Sequence, residues 1–77
     1  MVMLDCFGQR LKLARLAKGF TQPDVAKILG LTLRAYQRYE ANEREPSLEN
    51  LAKLSKHFGV SSDYLLGISD EAPFDER

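Results

Sequence analysis

The chain has 77 residues, and its eleven Lys/Arg are balanced by eleven Asp/Glu. That length makes a single domain; one cysteine excludes an internal disulfide, and no apolar run approaches the ~18 residues that span a membrane. The charge is unevenly spread: residues 1–68 carry ten Lys/Arg against seven Asp/Glu, whereas residues 69–77 carry four acids against Arg77. A mildly basic domain over 1–68 and an acidic, loosely held tail over 69–77 are therefore expected.

Taken in chain order, the pattern predicts five helices and no strand. Helix one is expected over residues 5–18, with Phe7, Leu11 and Ala14 on one face. Leu13 and Leu16 lie off that stripe, as scattered surface leucines or as a partner contact. Gly19, Gly30, Gly59 and Gly67 each follow an apolar-periodic segment, where a left-handed C-cap belongs.

Residues 21–40, TQPDVAKILGLTLRAYQRYE, carry the most information. Thr21 with Asp24 three residues on has the form of a capping box and opens helix two. Ala26 is small enough to let a second helix approach, and Gly30 supplies the turn. Leu29 and Leu31 make that turn apolar on both sides, so it faces a core. Thr32 then caps helix three, which buries Tyr36 and Tyr39 and turns Leu33, Arg34, Gln37 and Arg38 outward. Two arginines and a glutamine on the free face of a short helix suit base edges in a major groove. From Leu31 to Tyr39 there is no acid to repel phosphate. The pattern is a helix-turn-helix, and duplex DNA is the expected partner.

The link 41–46, ANEREP, is polar and ends in proline. Ser47 caps helix four, where Leu48, Leu51, Leu54 and Phe58 fall at helical spacing. Ser61 caps a short helix five with Asp63 in its first turn and an apolar face of Tyr64, Leu65 and Leu66.

With those residues in hand, the chain resembles the phage repressor and Cro family of helix-turn-helix domains, the XRE type. The resemblance covers roughly 7–67 and rests on FGQRL at 7–11, KGFTQ at 18–22, VAKILGLT at 25–32, YQRYE at 36–40, PSLENLAKL at 46–54 and FGVSSDYLLG at 58–67. It implies an all-α, compact five-helix, lambda-repressor-like domain that binds operator DNA, commonly as a two-fold homodimer. Most members repress transcription, some activate it, and relatives serve as antitoxins or as control proteins of restriction systems.

The resemblance also implies residue roles. Thr32, Leu33, Arg34, Gln37 and Arg38 match groove-facing positions: Arg34 for guanine, Gln37 for adenine, Leu33 for a thymine methyl, and Arg38 for guanine or a phosphate. Gln22, at the start of helix two, matches a phosphate-holding glutamine. Asn42 and Arg44 match contacts to the sugar-phosphate backbone. Arg15 and Glu40 match a partly buried salt bridge between helix one and the end of helix three, the alternative for Arg15 being a phosphate. Tyr36 stands where an aliphatic residue is common, and its hydroxyl needs a buried partner or reaches a phosphate. Pro23 removes one N–H from the first turn of helix two. The dimer surface implied is Val60, Leu65, Leu66 and Ile68.

Other chemistry finds little support. His57 stands alone, no Cys/His set has metal-ligand spacing, and no nucleophile–base pair or phosphate loop occurs. No enzyme, cofactor or small-molecule ligand is expected. The N-terminal MVMLDCF lacks a basic flank and a long apolar region, so a cytoplasmic chain with a reduced Cys6 is expected. The alternative function is an antitoxin or adaptor whose main partner is another protein, supported by the exposed leucines and the acidic tail.

Overall fold

The computed structural model describes residues 6–69. Five helices follow one another: α1 (Phe7–Ala17), α2 (Gln22–Leu29), α3 (Leu33–Glu40), α4 (Leu48–Phe58) and α5 (Ser62–Leu66). The acidic segment 70–77, Phe74 within it, and the expected helix start at Asp5 lie outside the described residues. Among the described residues, no helix is long and apolar enough to cross a membrane.

Four of the five helices begin where a local hydroxyl marks the start. Thr21 Oγ1 accepts from the Asp24 N–H at 3.2 Å while Asp24 Oδ2 accepts from the Thr21 N–H at 2.9 Å, a complete capping box. The second of these bonds holds the Asp24 carboxyl below its ordinary pKa. Thr32 caps α3 through the Ala35 N–H at 3.1 Å, Ser47 caps α4 through Asn50 at 3.1 Å, and Ser61 caps α5 through Tyr64 at 3.0 Å.

The exception is α1. Cys6 stands at its N-cap without a side-chain cap bond. The capping oxygen comes from far along the chain: Asn42 Oδ1 accepts from the Gly8 N–H at 2.8 Å. The same Asn42 terminates α3. It adopts φ 61, the left-handed region that asparagine tolerates better than most residues. From there its N–H reaches the Tyr39 carbonyl at 3.2 Å and the next N–H, of Glu43, reaches Arg38 at 2.9 Å. These two bonds make a Schellman closure. The turn between α2 and α3 is built the same way on Gly30, φ 71, with Leu31 N–H bonding to the Ala26 carbonyl at 2.8 Å.

The core joins Phe7, Leu11 and Ala14 of α1 with Val25, Ala26 and Leu29 of α2, Tyr36 and Tyr39 of α3, Leu54 and Phe58 of α4, and Leu65 of α5. Tyr39 is its aromatic centre, meeting the Phe7 ring edge-on at 6.5 Å and the Tyr36 ring at 6.3 Å. Its hydroxyl accepts from Asn50 Nδ2 at 3.0 Å, tying α3 to α4. Phe20 stacks obliquely on Phe58 at 5.8 Å and closes the far end.

Gly8 allows α1 to cross the end of α3 at backbone contact. A Cβ there would stand 2.3 Å from the Glu40 carbonyl oxygen. Arg10 holds α5 from the same helix: its Nη1 donates to the carbonyls of Tyr64 at 2.7 Å and Ser69 at 2.8 Å, and the guanidinium lies 4.4 Å from the Tyr64 ring centroid.

Two expectations need correcting here. Leu48 does not join the apolar face of α4; it is 85% exposed, because it opens the helix and sits on the flank of the stripe that Leu51, Leu54 and Phe58 form. Leu65 is fully buried, so it belongs to the core and not to a surface that a second subunit meets.

Candidate nucleic-acid interface

The outer face of α3 is the exposed half of a helix whose inner half is locked. Tyr36 and Tyr39 face inward, at 0% and 4% exposure. At helical spacing this leaves Leu33, Arg34, Gln37 and Arg38 exposed, with the cap residue Thr32 also exposed beside them. Arg34, Gln37 and Arg38, with Ala41 and Glu43, line one shallow open hollow. Glu43 is the acid at its rim, beyond the end of the helix. The structure thus brings the five groove-facing candidates together on one free face.

Arg44 is exposed in the loop before α4. It lines a second hollow with Leu31, Ala35, Tyr39, Glu45, Pro46, Ser47 and Asn50, which opens beside the N-terminus of α4. Asn42 is exposed too, but its oxygen is spent on the Gly8 N–H, so it holds the fold as well as lying near this edge.

Beneath α3 lies a polar hub on Glu40. Arg15 Nε meets Glu40 Oε2 at 2.6 Å and Arg15 Nη2 donates to Oε1 at 3.3 Å, with the two side chains 9% and 6% exposed. Arg15 Nη1 donates to the Phe20 carbonyl at 3.0 Å. The Tyr36 hydroxyl donates to Glu40 Oε2, and Gln22 Nε2 donates to Oε1 at 3.0 Å. Burial by itself pushes the Glu40 carboxyl up, but the hydrogen bonds from Arg15, Tyr36 and Gln22 together outweigh it and hold the group below its ordinary pKa. Burial and the bond to Glu40 push the Tyr36 phenol up, so it stays a neutral donor. The bond to Glu40 raises Arg15 in turn.

Tyr36 is accordingly removed from the phosphate candidates: its ring is fully buried and its hydroxyl is directed inward to Glu40. Gln22, half-buried, stands between the hub and the outer face. Its Nε2 faces Glu40 and its Oε1 accepts from Gln37 Nε2 at 3.1 Å. Of the residues nominated for a subunit contact, Ile68 is 72% exposed, Val60 packs partly against the core, Leu66 is half-buried and Leu65 is enclosed.

Three features of this site lay beyond sequence reasoning: the close approach at Gly8, the capping role of Asn42 and the Gln22–Gln37 bond. Only Gly8 left a signal, a glycine inside an otherwise helical run, which often marks close backbone packing.

The family model HTH_3, described as helix-turn-helix, matches residues 11–65. The SPbeta prophage-derived HTH-type transcriptional regulator YonR of Bacillus subtilis (strain 168) is 48% identical over 60 residues, which cover 78% of this chain and 56% of that protein. The chain spans about half the length of the curated relatives it matches. Among solved structures, the N-terminal DNA binding domain of SinR from Bacillus subtilis superposes with a TM-score of 0.70 at 32% identity, over 79% of this chain and 90% of that one. The P22 c2 repressor in complex with synthetic operator 9T does so with a TM-score of 0.71 at 32% identity, over 84% and 94%. Fold, helix-turn-helix and these similarities coincide: the chain belongs to the helix-turn-helix family of phage-repressor and Cro type.

Proposed function

We propose that this chain is the DNA-reading domain of a transcriptional regulator, a repressor that occupies a palindromic operator as a homodimer. The observation that carries the reading is the division of α3: Tyr36 and Tyr39 are sealed in the core while Arg34, Gln37 and Arg38 stand free on the opposite face. The operator complex of the similar P22 c2 repressor supports a duplex as the partner.

In this reading α3 enters the major groove. Thr32, Leu33, Arg34, Gln37 and Arg38 meet base edges, Arg34 as a bidentate donor to guanine and Leu33 against a thymine methyl. The N-terminus of α2, at Gln22, and Arg44 before α4 hold phosphates on either side, with Asn42 at the same edge. A dimer formed through Ile68 and Leu66, next to Val60, places two α3 helices about one DNA turn, ~34 Å, apart. Repression then needs no chemistry, because an occupied operator blocks polymerase.

Selection from a random duplex library at low salt tests this. An enriched site with two inverted halves is expected. Uniform retention of all sequences would leave the chain a non-specific binder, and no retention would remove DNA as its partner.

A further inference from the structure

α1 is apolar on two sides. Phe7, Leu11 and Ala14 enter the core, while Leu13 and Leu16, three residues apart on the outer side, stand 56% and 54% exposed. Lys12 is exposed beside them, and residues 6–23 contain no acid. The leucine pair lies on the side of α1 turned away from Gly8, where α3 crosses.

The chain returns to this helix after α5. Arg10 Nη1, one turn before Leu13, donates to the Ser69 carbonyl at 2.8 Å. The sequence that follows, DEAPFDER at 70–77, carries one aromatic, Phe74, between the acid pairs Asp70–Glu71 and Asp75–Glu76. Leu13 and Leu16 lie about 4.5 and 9 Å along the helix from Arg10. Phe74 is five residues beyond Ser69, a reach of up to ~16–18 Å. The leucines are therefore within its range, with slack for the length of the Arg10 side chain.

We propose that the Leu13–Leu16 face of α1 is the docking site for residues 70–77 of the same chain, with Phe74 across the two leucines and its flanking acids beside Lys12. Apolar surface meets apolar surface, acids meet a helix without acids, and the anchor at Ser69 sets the distance. The short tether keeps this segment at a high local concentration, ahead of the same segment of a second copy. The site is separate from the subunit contact proposed at Leu66 and Ile68. Docking there shields the leucines from water and holds four acids clear of the α3 face that would meet phosphate.

The chain contains no tryptophan, so Phe74→Trp supplies a single reporter in the full chain. Its quenching by acrylamide is compared with that in the added backgrounds Leu13→Ser/Leu16→Ser and Lys12→Glu. All three positions are exposed, so the variants are expected to fold, which circular dichroism checks. Trp at 74 is expected to quench about threefold more slowly than in the Leu13→Ser/Leu16→Ser background, as when roughly two-thirds of the chains are docked at any moment. Lys12→Glu and added salt each reduce that protection. Dilution by about a hundredfold leaves it unchanged, because the contact is intramolecular. A reporter as accessible as a free tryptophan would overturn the proposal, and so would equal protection with and without the leucines. Protection lost on dilution would overturn it too and assign the segment to a second copy. Where Leu13→Ser/Leu16→Ser does not fold, Lys12→Glu decides, and protection that neither it nor salt reduces overturns the proposal.

Discussion

Asn42 caps a helix through an N–H 34 residues before it: its side-chain oxygen takes the Gly8 N–H at 2.8 Å while its own backbone ends α3 in the left-handed region. One residue thus closes the recognition helix and opens the first helix. The α3–α4 loop cannot shift away from α1 without freeing the Gly8 N–H. Replacing Asn42 by glycine keeps the backbone conformation and removes only the cap. Asn42→Gly is expected to lower stability by about 1 kcal/mol. That corresponds to roughly 4–8 °C in Tm for a domain of this size. Asn42→Ala, which adds a left-handed alanine, is expected to cost ~1–2 kcal/mol more. Thermal and urea melts read both, and equal melts for Asn42→Gly and wild type would show that the cap contributes nothing.

Gly8 is the counterpart of that contact. An added Cβ at 2.3 Å from the Glu40 oxygen meets backbone, which has no rotamer to turn away. Gly8→Ala is expected to push α1 off the end of α3 and to destabilise the fold by ~1–3 kcal/mol, even though alanine is the better helix former. The exposed neighbour Gln9 is the control, and Gln9→Ala is expected to be neutral or slightly stabilising. A Gly8→Ala chain as stable as wild type would show that the two helices yield freely at this crossing.

The Arg15–Glu40 hub sets a stability that depends on pH. Removing Arg15 leaves a buried carboxylate with two donors, and Arg15→Ala is expected to cost ~3–5 kcal/mol. Tyr36→Phe removes one donor and is expected to cost about 1 kcal/mol. Because the folded Glu40 pKa lies below its unfolded value, the folded state binds fewer protons between the two values. The stabilisation is then complete above the unfolded carboxylate pKa of about 4.3 and is lost as pH falls through the folded pKa. Asp24, also depressed, adds to the same acid limb. Melts from pH 7 to pH 2 are expected to show a shallower acid limb for Glu40→Gln than for wild type. Parallel limbs would place the proton uptake elsewhere.

These features differ in how far the sequence discloses them. The starts of α2 to α5 are legible because Thr21, Thr32, Ser47 and Ser61 each bond to an N–H three residues on. The outward face of α3 is legible because a 3.6-residue period that buries Tyr36 and Tyr39 leaves Arg34, Gln37 and Arg38 little choice. The cap on α1 is not, since its oxygen comes from Asn42 and no local pattern connects them. Leu65 misleads because the last three residues of α5, Tyr64, Leu65 and Leu66, are all apolar, and in one turn of helix the period cannot tell the inner from the outer. Tyr36 misleads in part: its burial follows from the period, but the partner of its hydroxyl depends on where α1 places Arg15 and α3 places Glu40. The Gln22–Gln37 bond is a matter of side-chain torsions across a helix turn, which no spacing encodes.

Base and phosphate contacts are separable by how their loss spreads over sequences. Arg34 projects from the free face of α3, whereas Arg44 sits in the loop beside the start of α4. Arg34→Ala is expected to cost ~1–3 kcal/mol of affinity and to relax preference at one base position. Arg44→Ala is expected to weaken binding about equally on all duplexes and to reduce the salt dependence of binding by roughly one counterion. Titrations of the selected site and a scrambled duplex at several salt concentrations distinguish them. Neither arginine contributes to the core, so both variants are expected to melt like wild type. If Arg34→Ala instead lowers affinity for both duplexes alike and flattens the salt slope, Arg34 grips the backbone, and sequence reading passes to Leu33, Gln37 and Arg38.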